Sequence, residues 1–241
     1  MLLNPHLLTQ TEHYGAPIGS AAAVVVLVHG RGQSPQYMAD NFVDRLGRTD
    51  IAFVAPAAAD NTWYPKSFLA SLAENQPWLD QTMQRLAMLR DDLLGEGITP
   101  ERVVWCGFSQ GACVLSQFVS QDPRRWGGLL ALTGGLIGPP GADWTIDGSF
   151  DGMPAYFSTS EADPFVPEDR VRDTAGRFAD AGARVTVEFH LGREHEISDA
   201  EIDRARFAVS SFQSVQPGQS VQPTQSVQPA PAVQPIQLAD R

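Results

Sequence analysis

The sequence predicts an α/β sandwich, a doubly wound and mainly parallel sheet with helices on both faces. Three observations predict it. Short, near-continuously apolar runs alternate along the chain with segments of helical amphipathicity. One of these runs passes directly into a helical pattern at a serine held between glycines, Gly107-Phe108-Ser109-Gln110-Gly111. The length, 241 residues of which 43% are hydrophobic, suits one domain with a substantial core.

In chain order, residues 7–14 read as an antiparallel edge strand, 24–29 and 51–56 as the first core strands, and 35–47 as the helix between them. The core runs are apolar at nearly every position rather than at alternate ones, which describes strands covered on both faces. A helix is expected over 77–94, with Leu79, Met83, Leu86 and Leu93 on one side, Pro77 in its first turn and Gly95 and Gly97 at its end. Strand 103–106 leads into helix 110–121. Strands 129–133, 155–160 and 185–190 follow, with helices over 167–182 and 198–212. Ser198 and Glu201 have the spacing of a capping box at the start of the last helix. Such alternation implies right-handed crossovers. The interval 134–154 is rich in Gly and Pro, too short and too broken for a helical cap, so an open pocket is expected.

Residues 1–212 form the expected domain, and 213–241 a tail in which QSVQP recurs from Gln213, Gln219 and Gln225. Its prolines remove backbone donors and its isolated valines cannot offset chain entropy, so disorder is expected there.

A formal charge of −11 argues against nucleic acid, which is held by clustered Lys and Arg, and against an anionic membrane surface. The longest apolar run, 21–28, is far short of the roughly 20 residues of a membrane span, so no stable membrane insertion is expected. The first residues lack a cationic start followed by a long apolar run, so a cytoplasmic protein is expected. Cys106 and Cys113 read as small buried hydrophobes rather than a disulfide. No metal or cofactor is expected. His29 has no second His or Cys near it in sequence and reads as a turn-stabilising residue.

The chemistry centres on Ser109. In a parallel sheet the active site lies at the carboxyl ends of the strands. The G-x-S-x-G pattern between a strand and a helix describes a tight elbow that projects the hydroxyl out of the sheet. Gly107 and Gly111 fit because helix and strand approach closely there. A serine hydroxyl needs a base, and the base an orienting acid. In chain order for this elbow the acid follows the serine and the histidine comes last. Only His190 and His195 follow Ser109. His190 ends a strand, whereas His195 lies in a loop, 191–197, able to bend back over the serine. His195 is therefore the candidate base. Asp163, whose backbone is stiffened by Pro164, is the candidate acid, with Glu161 as the alternative. An oxyanion would be met by two backbone donors, the N–H of Gln110 at the helix start and the N–H of Arg31 in the glycine-containing loop after the first core strand.

The motifs HGRGQS, GFSQGA, EADPFVP and GREHE together make the chain resemble the phospholipase/carboxylesterase family of α/β hydrolases, over about residues 24–212. The resemblance implies an α/β-hydrolase fold, the triad Ser109, Asp163 and His195, and the oxyanion donors Arg31 and Gln110. It also suggests that Trp63 lies beside the acyl pocket. Leu136 and Ile137 are expected in the pocket wall with it. Two departures, GREHE before the histidine side and LTGGLIGPP after the fourth core strand, speak against protein-bound lipid substrates.

The expected function is a serine carboxylesterase acting on a small-molecule ester through an acyl-enzyme. An acyl-protein thioesterase or lysophospholipase would use the same machinery. A hydrolase fold serving only as a binding module would show a degenerate triad, and none of the three positions is lost. The sequence leaves the oligomeric state open.

Overall fold

The computed structural model describes residues 3–212. The tail expected over 213–241 lies outside the described residues. Seven strands form one sheet: β1 (Thr11–Gly15), β2 (Val24–Val28), β3 (Ala52–Pro56), β4 (Val103–Phe108), β5 (Gly128–Leu132), β6 (Pro154–Ser160) and β7 (Arg184–His190). Their order is β1-β3-β2-β4-β5-β6-β7, with β1 antiparallel to β3 and all other pairs parallel. The edge strand is shorter than expected, because Pro5–Leu8 closes a 3-10 turn capped by the Asn4 side chain.

Strands β2 to β5 are buried at every position, as their unbroken apolar runs require. Successive residues serve opposite faces. Val24, Val26, Trp105 and Phe157 face one core, packed under α3 (Trp78–Gly95), α4 (Gln110–Ser120) and α5 (Glu168–Asp180). Val25, Leu27, Cys106 and Leu130 face the other, under α1 (Pro35–Met38), α2 (Asp44–Leu46) and α6 (Asp199–Val209). The expected single helix over 35–47 is interrupted by a π turn, Ala39–Val43, and ends at Gly47, whose φ of 68° is a left-handed stop. Helix α6 opens with the capping box of Ser198 and Glu201.

The chain steps from β2 to β3 in one direction and from β3 back past β2 to β4 in the other. A crevice therefore opens beyond the carboxyl ends of β2 and β4, where Val28 is level with Gly107. Residues 133–153 contain neither helix nor strand, so among the described residues no helical cap covers the crevice. Among the described residues no helix is long and apolar enough to cross a membrane.

Candidate active site

Strand β4 ends at Phe108 and α4 begins at Gln110, leaving one residue, Ser109, to make the turn. Its φ of 55° and ψ of −119° are strained for a side-chain-bearing residue, and its N–H is tied to the Leu132 carbonyl at 2.9 Å. A Cβ on Gly107 would come within 2.5 Å of the Gly111 backbone, and one on Gly111 would overlap the Val28 carbonyl. Only glycine at both positions lets helix and strand close to this distance.

His195, in the loop after β7, reaches over the serine. Its Nε2 is 2.8 Å from Ser109 Oγ and its Nδ1 is 2.7 Å from Asp163 Oδ2. The consistent proton arrangement has Nδ1–H donating to Asp163 and Nε2 accepting from the serine hydroxyl. Asp163 follows β6, with no exposed side-chain surface, and its Oδ1 accepts the N–H groups of Phe165 and Val166, each at 2.9 Å. Burial works to raise its pKa, while the His195 hydrogen bond and the two amides outweigh that and hold the carboxyl below its ordinary value. Asp163 therefore stays an anionic acceptor facing the imidazole.

Gln110 is the first residue of α4, so its N–H has no acceptor within the helix. Among the described residues the Arg31 N–H likewise meets no acceptor. Both flank Ser109, Gln110 as the next residue and Arg31 in the loop after β2, where a Cβ on Gly30 would sit 3.2 Å from Ser109 Cβ. The Gln110 side chain has a second task that its sequence position did not reveal. Buried, it accepts from the Trp63 N–H at 3.0 Å and donates to the Tyr64 carbonyl at 2.8 Å. The Arg31 guanidinium donates to the carbonyls of Pro65 (2.9 Å) and Lys66 (2.5 Å). Together they fix residues 63–66 as one wall of a cavity of about 410 Å3 that contains Ser109 and His195.

The expected pocket wall is corrected here. Tyr64, Phe68, Phe165 and Val166 line this cavity, whereas Trp63, Leu136 and Ile137 do not. Trp63 is fully buried behind it, its indole N–H donating to the His29 carbonyl at 2.8 Å and its ring packed against His29 and His6. Leu136 and Ile137 turn into the core, because the buried Arg170 side chain binds the Leu136 carbonyl and Thr174 accepts the Leu136 N–H. The gain from burying two aliphatic side chains outweighs exposing them at a pocket rim. His29 ties its own turn: Nδ1 lies 2.8 Å from the Gly30 carbonyl, and Nε2 accepts from the Ala58 N–H. His190 remains at the end of β7, its carbonyl bonded to the Glu161 N–H, and Glu161 is exposed.

One group of residues at the site was missed by sequence reasoning. Arg193, two residues before His195, extends its guanidinium into the protein. It donates to Thr133 Oγ1 at 2.7 Å, to Glu201 at 3.0 Å and to the Glu196 carbonyl. Glu201 is fully buried and also accepts from Ser158 Oγ (2.5 Å) and the Ser198 N–H (2.8 Å). The loop bearing His195 is thus pegged to Thr133 just past β5, to α6 and, through Glu201, to β6. The sequence carried half of this signal, since Glu201 stands in the capping box, but nothing in the spacing showed that its carboxylate is buried.

Sheet order, elbow and loop placement together define an α/β-hydrolase fold. Residues 12–210 match the family described as Phospholipase/Carboxylesterase, and the chain belongs to that family. A solved phospholipase/carboxylesterase from Dyadobacter fermentans is similar, with 33% identity and a TM-score of 0.78 over 84% of this chain and 97% of that one. Among curated proteins, acyl-protein thioesterase 1 of Eremothecium gossypii is 27% identical over 159 residues, 63% of this chain and 64% of the relative. Acyl-protein thioesterase 1 homolog 1 of Dictyostelium discoideum is 28% identical over 49% of this chain and 60% of its own length. The alignments thus span just under two thirds of these curated relatives.

Proposed function

We propose that the chain is a serine hydrolase that cleaves carboxylic esters of small molecules through an acyl-enzyme. The observation that carries this reading is the continuous hydrogen-bonded line from Asp163 through His195 to Ser109, ending in a solvent-facing cavity. Ser109 Oγ attacks the ester carbonyl while His195 Nε2 takes its proton, and Asp163 holds the imidazole in the tautomer that can do so. The carbonyl oxygen gains negative charge and is received by the N–H groups of Arg31 and Gln110, the second at a helix N-terminus whose dipole favours an anion. Collapse returns the proton from His195 to the leaving alcohol. Water then repeats the sequence: His195 removes its proton, the acyl–serine bond breaks, and the carboxylic acid leaves as Ser109 regains its hydrogen.

The names of the curated relatives favour a second reading, thioester cleavage by the same residues. Ester and thioester substrates share the acyl-enzyme and differ in the leaving group. Labelling with a fluorophosphonate, located by peptide mass spectrometry, followed by matched p-nitrophenyl esters and thioesters of graded chain length, tests both readings. Labelling at Ser109 with ester turnover supports the proposal, and thioester turnover alone supports the second reading. No labelling and no turnover would leave a hydrolase fold used only for binding.

A further inference from the structure

The cavity beside Ser109 carries permanent charge of one sign. Arg31 and Lys66 line it, both exposed to solvent, and no Asp or Glu does. Asp163 is shut off behind His195, and Glu194 and Glu196, which flank His195 in sequence, lie outside the lining. This runs against the composition of the chain, which has 28 acidic residues against 17 Lys and Arg. Lys66 is its single lysine. Among the described residues neither Lys66 nor Arg31 joins an ion pair, whereas Arg45, Arg48, Arg90 and Arg193 all do. The Arg31 guanidinium is tethered by two carbonyls and lies 5.7 Å from the centre of the Tyr64 ring, contacts that orient its charge without cancelling it. Lys66 has no such tether; the carboxylate that feels its charge, Glu74, is exposed and lies outside the lining. Keeping the chain in solution does not require a cation there, because the net charge is already strongly negative.

We infer that this cavity selects esters whose acyl half ends in an anionic group, a carboxylate several bonds from the scissile carbonyl. The inference rests on the esterase reading and adds the substrate class. The acyl half stays on Ser109 through both chemical steps, so cations in the lining act on it throughout. The acidic surface elsewhere is screened beyond about 10 Å at 0.1 M salt, which leaves the two local cations to set the sign at contact range. A unit charge about 6 Å from a carboxylate in water contributes roughly a threefold preference, so two contribute roughly tenfold.

The test compares mono(4-nitrophenyl) adipate with its methyl ester, two compounds with the same reacting bond that differ in one charge at the far end. Nitrophenolate release is followed after subtraction of spontaneous hydrolysis. At 0.1 M salt the charged ester should show a kcat/KM roughly tenfold higher, the preference should shrink as salt approaches 0.5 M, and Lys66→Glu should reverse the order of the two esters. Turnover of both compounds with equal rates, or with the methyl ester faster, overturns the inference and leaves the esterase reading standing. Turnover of neither, together with absence of fluorophosphonate labelling, overturns both.

Discussion

Replacing Glu201 by Gln should destabilise the protein far more than its single-atom change suggests. The Glu201 side chain has no exposed surface and that of Arg193 is 6% exposed, so the pair is held out of water on both sides. Glutamine keeps the volume and one carbonyl oxygen but removes the charge, leaving the guanidinium with Thr133 Oγ1 and the Glu196 carbonyl and no counter-ion. Breaking a buried pair from one side costs about 3–5 kcal/mol, mostly the uncompensated charge left behind. For a domain of this size each kcal/mol moves Tm by about 2–4 °C, so a fall of roughly 10 °C is expected. Asp203→Asn is the matched control. Its partner Arg206 and Asp203 itself are 50% and 71% exposed, and the change should stay within about 0.5 kcal/mol. Urea unfolding of the three proteins, compared by midpoint at constant slope, gives the differences directly. If Glu201→Gln shifted the midpoint no further than Asp203→Asn, the claim that this pair holds the His195 loop in place by a buried charge would be wrong.

Arg193→Lys keeps a positive charge on Glu201 but offers one donor group where a fork spans three partners, so kcat should fall roughly tenfold or more with KM little changed; steady-state kinetics on a short-chain p-nitrophenyl ester would show it. Asp163→Asn should lower kcat by about 10^4-fold with the fold intact, because the imidazole loses the acceptor that sets its tautomer, and circular dichroism beside the rate measurement separates the two effects. Stability should also fall with pH. Burial lowers the pKa of His6 and of His29 to about 4, against about 6.5 when unfolded, so the unfolded chain binds protons first. Their contribution is complete above about pH 6.5 and is lost as pH falls toward 4, with a slope of at most about 2.7 kcal/mol per pH unit for the two together. Urea midpoints from pH 7 to 4.5 check this, and His29→Gln should roughly halve the slope. Finally, with no helical cap over the crevice among the described residues, the rate on tributyrin should show no jump at its solubility limit, whereas a jump would reveal a lid.

What the sequence disclosed divides along a physical line. Strands were legible because burial on both faces leaves runs such as VVVLV apolar at every position, and the elbow because two glycines flank a serine where a strand meets a helix. The placing of His195 and Asp163 beside the serine was legible for a related reason, since loops after successive parallel strands converge on one edge of the sheet. The pocket wall was not. Trp63 and Tyr64 are adjacent, aromatic and both buried in one core, and only the direction of the backbone, held by the Gln110 side chain, sets Tyr64 against the cavity and Trp63 behind it. The π turn at Ala39–Val43 was hidden because its apolar residues fit an ordinary helical stripe nearly as well. The Arg193 and Glu201 network was hidden because charged residues in a loop and at a helix start normally face water, and here a distant threonine and serine draw them inward.

The position of Lys66 bears on how the protein can be handled. As the chain's single lysine, it is the one side chain that amine-reactive reagents can acylate, and it stands at the mouth of the cavity that holds Ser109. Coupling to an activated support through side-chain amines would therefore attach every molecule by the same point and turn the cavity toward the surface. Among side chains an amine-directed fluorophore would attach only at that mouth, the α-amino group being its one other target.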